Sequence, residues 1–331
     1  MRAYVASYVE KHLASIQLVA NVTASSPVIG THDGSFHCDE AMACGLLRHT
    51  VPFGGASILR TRDPEVLNQC NIVVDVGGVY DFAKLRLDHH QNEFQDSMRI
   101  GNKTYSTRLS SAGLVYRHFG VDIIQRFGDY CYKDAGVLQQ PLSENHIQLV
   151  YDRVYSGFVE HVDGIDNGVE SFSLQHVEGG KQEGGVVLKR NYNVSTTLSS
   201  RVGALYPRWN EVQSKEKENA AFKQAVLLAT GEFFTALDFY CCSWLPARDV
   251  VERAFQDRCK VHSSGCIMIL QQGGCPWKEH LFDLEEGEAQ SGNVRDLSRR
   301  EGAGECKGYP RTAKALHFAS RCHGKALEML N

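Results

Sequence analysis

Little in this chain points away from an ordinary globular fold, and each thing it lacks excludes something. None of its 11 cysteines forms a Cys-x-x-Cys pair, and their spacing is irregular. A disulfide framework or a structural zinc site is therefore not expected, and a reducing compartment fits better. No apolar run approaches the roughly 18 residues of a membrane helix, so no membrane partner is expected. There is no basic excess either. The formal net charge is -4, so any nucleic-acid contact must come from a local patch rather than a global field. No internal repeat is visible. What is present, 331 residues of which 43% are hydrophobic, suffices for one large or two modest domains.

Residues 1–27 stand apart. Tyr4, Val5, Tyr8, Val9, Leu13 and Ile16 recur at helical spacing, with Arg2, Lys11 and a single acid, Glu10. A weak mitochondrial targeting helix and an ordinary leading helix both fit this pattern. From Val28 short strands alternate with helices. Val28-Ile29, Ala56–Leu59, Ile72–Val76 and Leu85–Leu87 read as strands, and Asp39–Leu47 reads as a helix. A helix over 112–119 follows Ser110 and Ser111 as N-cap candidates and is expected to stop at Gly120. Ile147, Val150, Val154, Phe158 and Val162 mark one face of a further helix that ends at Asp163. The alternation predicts an α/β fold with a doubly wound, mainly parallel sheet over 28–185. The glycine-rich stretch 177–187 reads as a linker to a second, more helical α+β domain over 186–284. Phe222, Val226, Ala229, Phe233, Leu237 and Tyr240 trace a long helix there, Pro246 opens another, and Gly265–Leu270 reads as a strand. From about Glu285 periodicity collapses, so 285–331 is expected to be a poorly folded tail.

Chemistry-bearing residues gather where apolar runs give way to polar ones. Thr31–Glu40 contains His32, His37 and Asp39; Asp75 closes the run Ile72–Val74; Asp88-His89-His90 ends the next strand; and Asp163 to Gly168 follows the later helix. Taken singly, each has a bland explanation. Asp39 and Glu40 suit a helix N-terminus, and Asp75 and Asp163 suit turns before glycine. Taken together, four such clusters on one α/β frame point to a metal site built from strand ends. A pair of divalent ions there would serve phosphoryl chemistry, with Asp75 as the natural bridge. Asp166 is the reserve candidate for the fourth cluster.

The motif Asp88-His89-His90 with the upstream His/Asp cluster resembles the DHH phosphoesterase superfamily, which includes RecJ-type nucleases and manganese-dependent pyrophosphatases. Longer strings resemble its melanocyte-proliferating-gene (Myg) branch: 29–41, 72–81, 109–116, 163–168, 244–248 and 273–281. The likeness covers roughly 28–284. It implies a DHH-type catalytic domain acting as a 3′–5′ exonuclease on RNA, with two manganese or magnesium ions. Matched position by position, His32, His37, Asp39, Asp75, His89 and Asp163 would be the metal ligands. Asp88 would orient His89, and His90 would contact phosphate. The family more often has Asn where this chain has Asp33. It also implies a mitochondrial-matrix and nuclear location and admits a homo-oligomer.

Beyond Leu284 the chain departs from the family pattern, passing Gly292, Arg299, Arg300 and Gly308 without the expected strands or glycine pair. The second domain is thus expected to be incomplete at its C-terminus and RNA binding weakened. Arg201, or Lys189 and Arg190, could meet substrate phosphates, and Trp209, Trp244 and Trp277 could stack bases, although tryptophans in a helical domain are usually core. Two other readings remain: a phosphohydrolase of pyrophosphate or dinucleotides, and a metal-binding regulatory protein without turnover.

Overall fold

Continuous burial along the strands explains the central sheet. In a computed structural model, which describes residues 1–22, 26–169, 194–290 and 314–316, strands β1 (Leu18–Val19), β2 (Val28–Thr31), β3 (Ser57–Arg60), β4 (Ile72–Val74), β5 (Tyr80–Asp81) and β6 (Arg86–Leu87) form a six-stranded sheet. Its order is β1-β3-β2-β4-β6-β5, parallel throughout except for the β5–β6 pair. Val28, Leu59 and Val73 share one face with Leu67 and Cys70. The alternate residues Ile29, Ile58, Ile72 and Val74 point the other way and are equally buried. Both faces are covered, as a parallel sheet requires. A mixed α/β fold with a mainly parallel sheet is what the sequence pattern predicts.

Helices α1 (Ala3–Leu13), α2 (Cys38–Leu47), α3 (Pro64–Leu67), α4 (Ser111–Lys133), α5 (Glu144–Val154), α6 (Glu160–Asp166), α7 (Leu198–Gly203) and α8 (Lys215–Phe239) complete this part. Every residue of α2 is buried. Burying Met42, Leu46 and Leu47 stabilises the fold by roughly 2–3 kcal/mol each. Gly45 lies so close to Thr230 of α8 that a side chain there would collide with the hydroxyl.

Several elements differ from expectation. Residues 1–22 do not stand apart: a leading helix forms, as one of the two readings had it, with Val5, Tyr8, Val9 and Leu13 of α1 buried, and β1 lengthens the sheet. Helix α4 runs on through Gly120 to Lys133, because that glycine faces Tyr151 of α5 and a Cβ would stand 2.8 Å from its ring. A hairpin, β7 (Ser97–Ile100) and β8 (Lys103–Arg108), escaped the pattern reading although Gly101-Asn102 is a hairpin turn dipeptide. The single helix expected before Asp163 is interrupted by a π turn at Tyr155–Val159.

The chain divides into two compact units, Met1–Asp238 and Phe239–Asn331. The second holds a π turn at Tyr240–Trp244, α9 (Leu245–Val261), β9 (Ile267–Ile269), α10 (Lys278–Gln290) and β10 (Lys314–Leu316), with β9 and β10 parallel. Its core joins Val251, Phe255, Met268, Leu270 and Leu281. Helix α10 continues past Glu285 because Arg258 holds Glu288 at 2.6 Å, a contact no apolar periodicity announces. The expected linker 177–187 lies outside the described residues. The helical stretch Lys215–Val261 does contain an 18-residue window with mean hydropathy 1.4, long enough to cross a membrane, and 56% of it is buried in the protein as in a core helix. All nine cysteines among the described residues are free.

Candidate metal centre

Three strand ends of the first unit deliver the site. Beyond β2, His32 is buried and the loop turns into α2 with His37 as N-cap. The backbone N–H of His37 donates to both oxygens of Glu40, at 2.7 and 2.9 Å, the capping-box bond that fixes the helix start. Arg60 at the end of β3 holds the same loop from beneath, donating to the His32 carbonyl at 3.2 Å and the Gly34 carbonyl at 2.6 Å. Its guanidinium lies 4.5 Å from the centroid of the Phe222 ring. Asp75 follows β4 with φ 59°, a left-handed conformation that aspartate tolerates better than most residues. Gly77 and Gly78, at φ 100° and 66°, continue the turn as only glycine does readily. Beyond β6 come Asp88, His89 and His90.

The side chains converge. His32 Nε2 lies 3.1 Å from Glu40 Oε1 and 3.3 Å from Asp75 Oδ2. His89 Nε2 lies 3.3 Å from Asp75 Oδ1, 3.1 Å from Asp166 Oδ2 and 3.9 Å from Asp39 Oδ2. His90 Nδ1 lies 3.5 Å from Asp75 Oδ1. Ser111, at the start of α4, donates to Asp75 Oδ1 at 3.2 Å. A cavity of about 340 Å³ opens on this cluster, lined by His32, His37, Arg62, Asp75, Asp88 and His90 together with the Val76–Gly78 turn.

The electrostatics are those of a cation hole. Burial, reinforced by the charges of Asp75, Asp166 and Glu40, drives Asp39 well above the usual carboxylate range. Burial acts the same way on Asp75, but hydrogen bonds from His32 and His89 outweigh it and hold its carboxyl well below that range. The histidines mirror this. Burial works against their charge, yet Asp75 and Glu40 raise His32 to about 10, and Asp166 and Asp75 raise His89 to about 9. The cluster of acids thus recruits positive charge, from protons or from metal.

Three sets of donors could each hold an ion, their ligand atoms lying within 4.8 Å of one another: His32, His37, Glu40 and Asp75; Asp75, His89 and His90; and Asp39, His89 and Asp166. Among the described residues neither oxygen of the buried Asp39 has a hydrogen-bond partner, nor does His89 Nδ1. Unpartnered polar atoms this deep are costly unless something else satisfies them. A mixed imidazole and carboxylate set suits a divalent ion. The residues fit the metal that the motifs imply.

Of the expected ligands, His32, His37, Asp39, Asp75 and His89 come together, and Asp163 stands apart. Both its oxygens are engaged by Ser110 and Tyr155, and the group reaching His89 is Asp166. Asp88 does not orient His89 either: it accepts from Gly78 N at 2.6 Å and pairs with His90 Nδ1 at 2.7 Å. Arg201, expected at substrate, pairs with Glu232 at 2.8 Å and does not line the cavity. Lys189 and Arg190 lie outside the described residues. Trp244 is buried against His280, Trp277 packs on the second core, and Trp209 is exposed. Sequence reading missed Glu40 as a donor and Arg62 as a wall of the cavity. The capping-box spacing from His37 marked the first; nothing marked the second.

Residues 28–300 match the family model MYG1_exonuc, described as an uncharacterised protein family (UPF0160). The chain is 44% identical over 281 residues to "MYG1 exonuclease" of Bos taurus, covering 84% of this chain and 67% of that one. It is 45% identical over 263 residues to the Homo sapiens protein of the same name, covering 79% and 63%. To "MYG1 protein" of Dictyostelium discoideum it is 39% identical over 262 residues, covering 79% and 71%. The chain spans about two thirds of the length of the mammalian relatives. No solved structure matches it.

Proposed function

The chain belongs to the MYG1 exonuclease family, and on that premise we propose that it is a metal-dependent 3′–5′ exonuclease hydrolysing RNA phosphodiester bonds through a DHH-type two-metal site. One divalent ion, manganese or magnesium, would be held by His32, His37 and Asp75, and a second by Asp39, His89 and Asp166, with Asp75 between them. When bound, such ions activate water and neutralise charge at phosphorus.

The chain's own residues supply the rest. Asp88 accepts from the backbone N–H of His90 at 3.2 Å and pairs with its Nδ1, so the exposed ring is oriented and its Nε2 is left for a phosphate oxygen. Glu40 fixes His37 by its backbone, and Ser111 steadies Asp75. Burial of His32 and His89 keeps bulk water from the ligands.

The observation that carries this reading is the buried Asp39 carboxylate, without a hydrogen-bond partner among the described residues, inside a convergent His/Asp cluster. A second reading has its own support. The cavity, about 340 Å³, sits at the lower end of small-ligand sites, which suits a short substrate such as a dinucleotide. The test is manganese-dependent turnover of 5′-labelled and 3′-labelled RNA beside a dinucleotide. Immediate mononucleotide release from the 3′ label, with stepwise shortening of the 5′-labelled strand, is expected. Cleavage confined to the dinucleotide would move the substrate class, and no cleavage of any of them would end the enzyme reading.

A further inference from the structure

We propose that Arg62 anchors a substrate phosphate in this cavity and that Asp33 restrains it, so that the Asp33–Arg62 pair sets how tightly a nucleotide is held. The proposal rests on the phosphodiesterase reading of the same site.

Among the residues lining the cavity, Arg62 alone carries a guanidinium. Its backbone is fixed on both sides. Thr61 N donates to the Thr31 carbonyl of the neighbouring strand at 2.8 Å. Asp63 N donates to Thr61 Oγ1 at 3.1 Å, and Asp63 caps α3 through Glu65 N at 2.9 Å. From this rigid base the side chain extends into solvent, 65% exposed. Arg60, two residues earlier, is the opposite case: it is buried and occupied by the His32 and Gly34 carbonyls. Those same two bonds hold the carbonyls of the residues on either side of Asp33. Both members of the pair are therefore presented on fixed backbone while their side chains stay free to exchange partners.

The contact between them is loose. Arg62 Nε stands 3.7 Å from Asp33 Oδ1, beyond hydrogen-bond range, and Asp33 is 45% exposed. Exposed pairs of this kind contribute little, because solvent screens them. A phosphate oxygen pair offers a guanidinium a bidentate, charge-assisted bond that is stronger than this. Substrate thus displaces Asp33, and Asp33 opposes substrate twice, by occupying Arg62 and by its own charge. An asparagine at this position would do neither.

The test uses the full chain saturated with manganese, with adenosine 5′-monophosphate as the binding probe and RNA as the turnover substrate. Arg62→Gln should weaken nucleotide binding about tenfold and raise KM for RNA similarly, with the loss falling on KM rather than kcat, and Arg62→Lys should recover part of it. Asp33→Asn should tighten nucleotide binding about threefold, and the gain should shrink in the Asp33→Asn/Arg62→Gln double variant. An Arg62→Gln protein that binds the nucleotide as the parent does would overturn the anchor, as would a parent that does not bind it. A full Asp33→Asn gain in the Arg62→Gln background would overturn the restraint. If RNA is cleaved normally while the Arg62 variants are silent, the anchor fails and the exonuclease reading stands. If the nucleotide effects appear without RNA cleavage, the reverse holds.

Discussion

Asp163 Oδ1 accepts both the backbone N–H of Ser110, at 2.9 Å, and its hydroxyl, at 2.7 Å. This buried bond ties α6 to the N-terminus of α4, one residue before the Ser111 that reaches Asp75. Asn167 adds to the tie by donating to the carbonyls of Arg108 and Asp163 at 2.9 and 2.8 Å. Asp163 thus positions the helix end from which Asp166 meets His89.

The two aspartates should separate cleanly by mutation. Asp163→Ala strands the Ser110 donors and should cost about 2–3 kcal/mol in a urea melt. Asp163→Asn can still accept from Ser110 and should remain folded and bind manganese. Asp166→Ala removes a side chain that is only 16% exposed but outside the apolar core; it should leave the protein folded and lower manganese affinity at least tenfold. A folded Asp163→Asn that no longer binds manganese, beside an Asp166→Ala that does, would reverse the two assignments.

Asp75→Asn should keep the fold, because asparagine also accepts a left-handed φ, and should lose at least about a hundredfold in turnover. The neutral amide cannot balance His32 and His89 or two ions. Circular dichroism and steady-state rates measured together check this; near-parental turnover with manganese would remove Asp75 from the centre.

Arg48 is fully buried, and among the described residues no carboxylate pairs with it. It donates to the His12 carbonyl at 2.9 Å, to Ser15 Oγ at 3.0 Å and to the Ala56 carbonyl, so α1, α2 and β3 depend on one side chain. Arg48→Met leaves these acceptors dry and should destabilise by at least about 3 kcal/mol. A chemical denaturation midpoint unchanged by that substitution would show that α1 docks by its apolar face alone.

What the sequence made legible follows local rules. The run Val28 to Leu47 reads correctly as strand, loop and helix because Ile29 and the α2 residues are apolar while His32, His37 and Asp39 are not. Five expected ligands meet because each ends a strand or starts a helix of one parallel sheet. Asp166 is harder to choose over Asp163: the π turn at Tyr155–Val159 rotates everything after it, and no apolar spacing announces that extra residue. Gly120 misleads for a related reason, since its local signal is a helix stop while its tertiary role is to admit Tyr151. Arg62 carries no local signal at all. Its place depends on the β2–β3 register, which pairs Thr31 with Arg60.

His49 should give the fold a measurable acid sensitivity. It is buried at the end of α2, with Nδ1 donating to the Gly45 carbonyl at 2.8 Å and its ring 4.4 Å from that of Phe234 and 4.5 Å from that of His12. Burial is the main force holding it neutral; the Gly45 bond opposes this, while His12, Arg48 and Arg126 add repulsion, and together they bring its pKa down to about 3. A histidine depressed in the folded state contributes stability that is fully present above its unfolded pKa of about 6.5 and is lost as pH falls towards the folded value. Between pH 7 and pH 5 this group alone should cost about 2 kcal/mol, since the unfolded chain takes up nearly one proton that the folded chain refuses. His49→Asn keeps a donor near Gly45 and cannot titrate. Its stability will be lower at every pH because the ring is gone, so the difference in slope is the quantity to measure. Urea melts of both proteins at pH 7, 6 and 5 should show the parent losing about 2 kcal/mol more than the variant. Parallel slopes would mean that water or a shift of α1 lets His49 take its proton inside the fold.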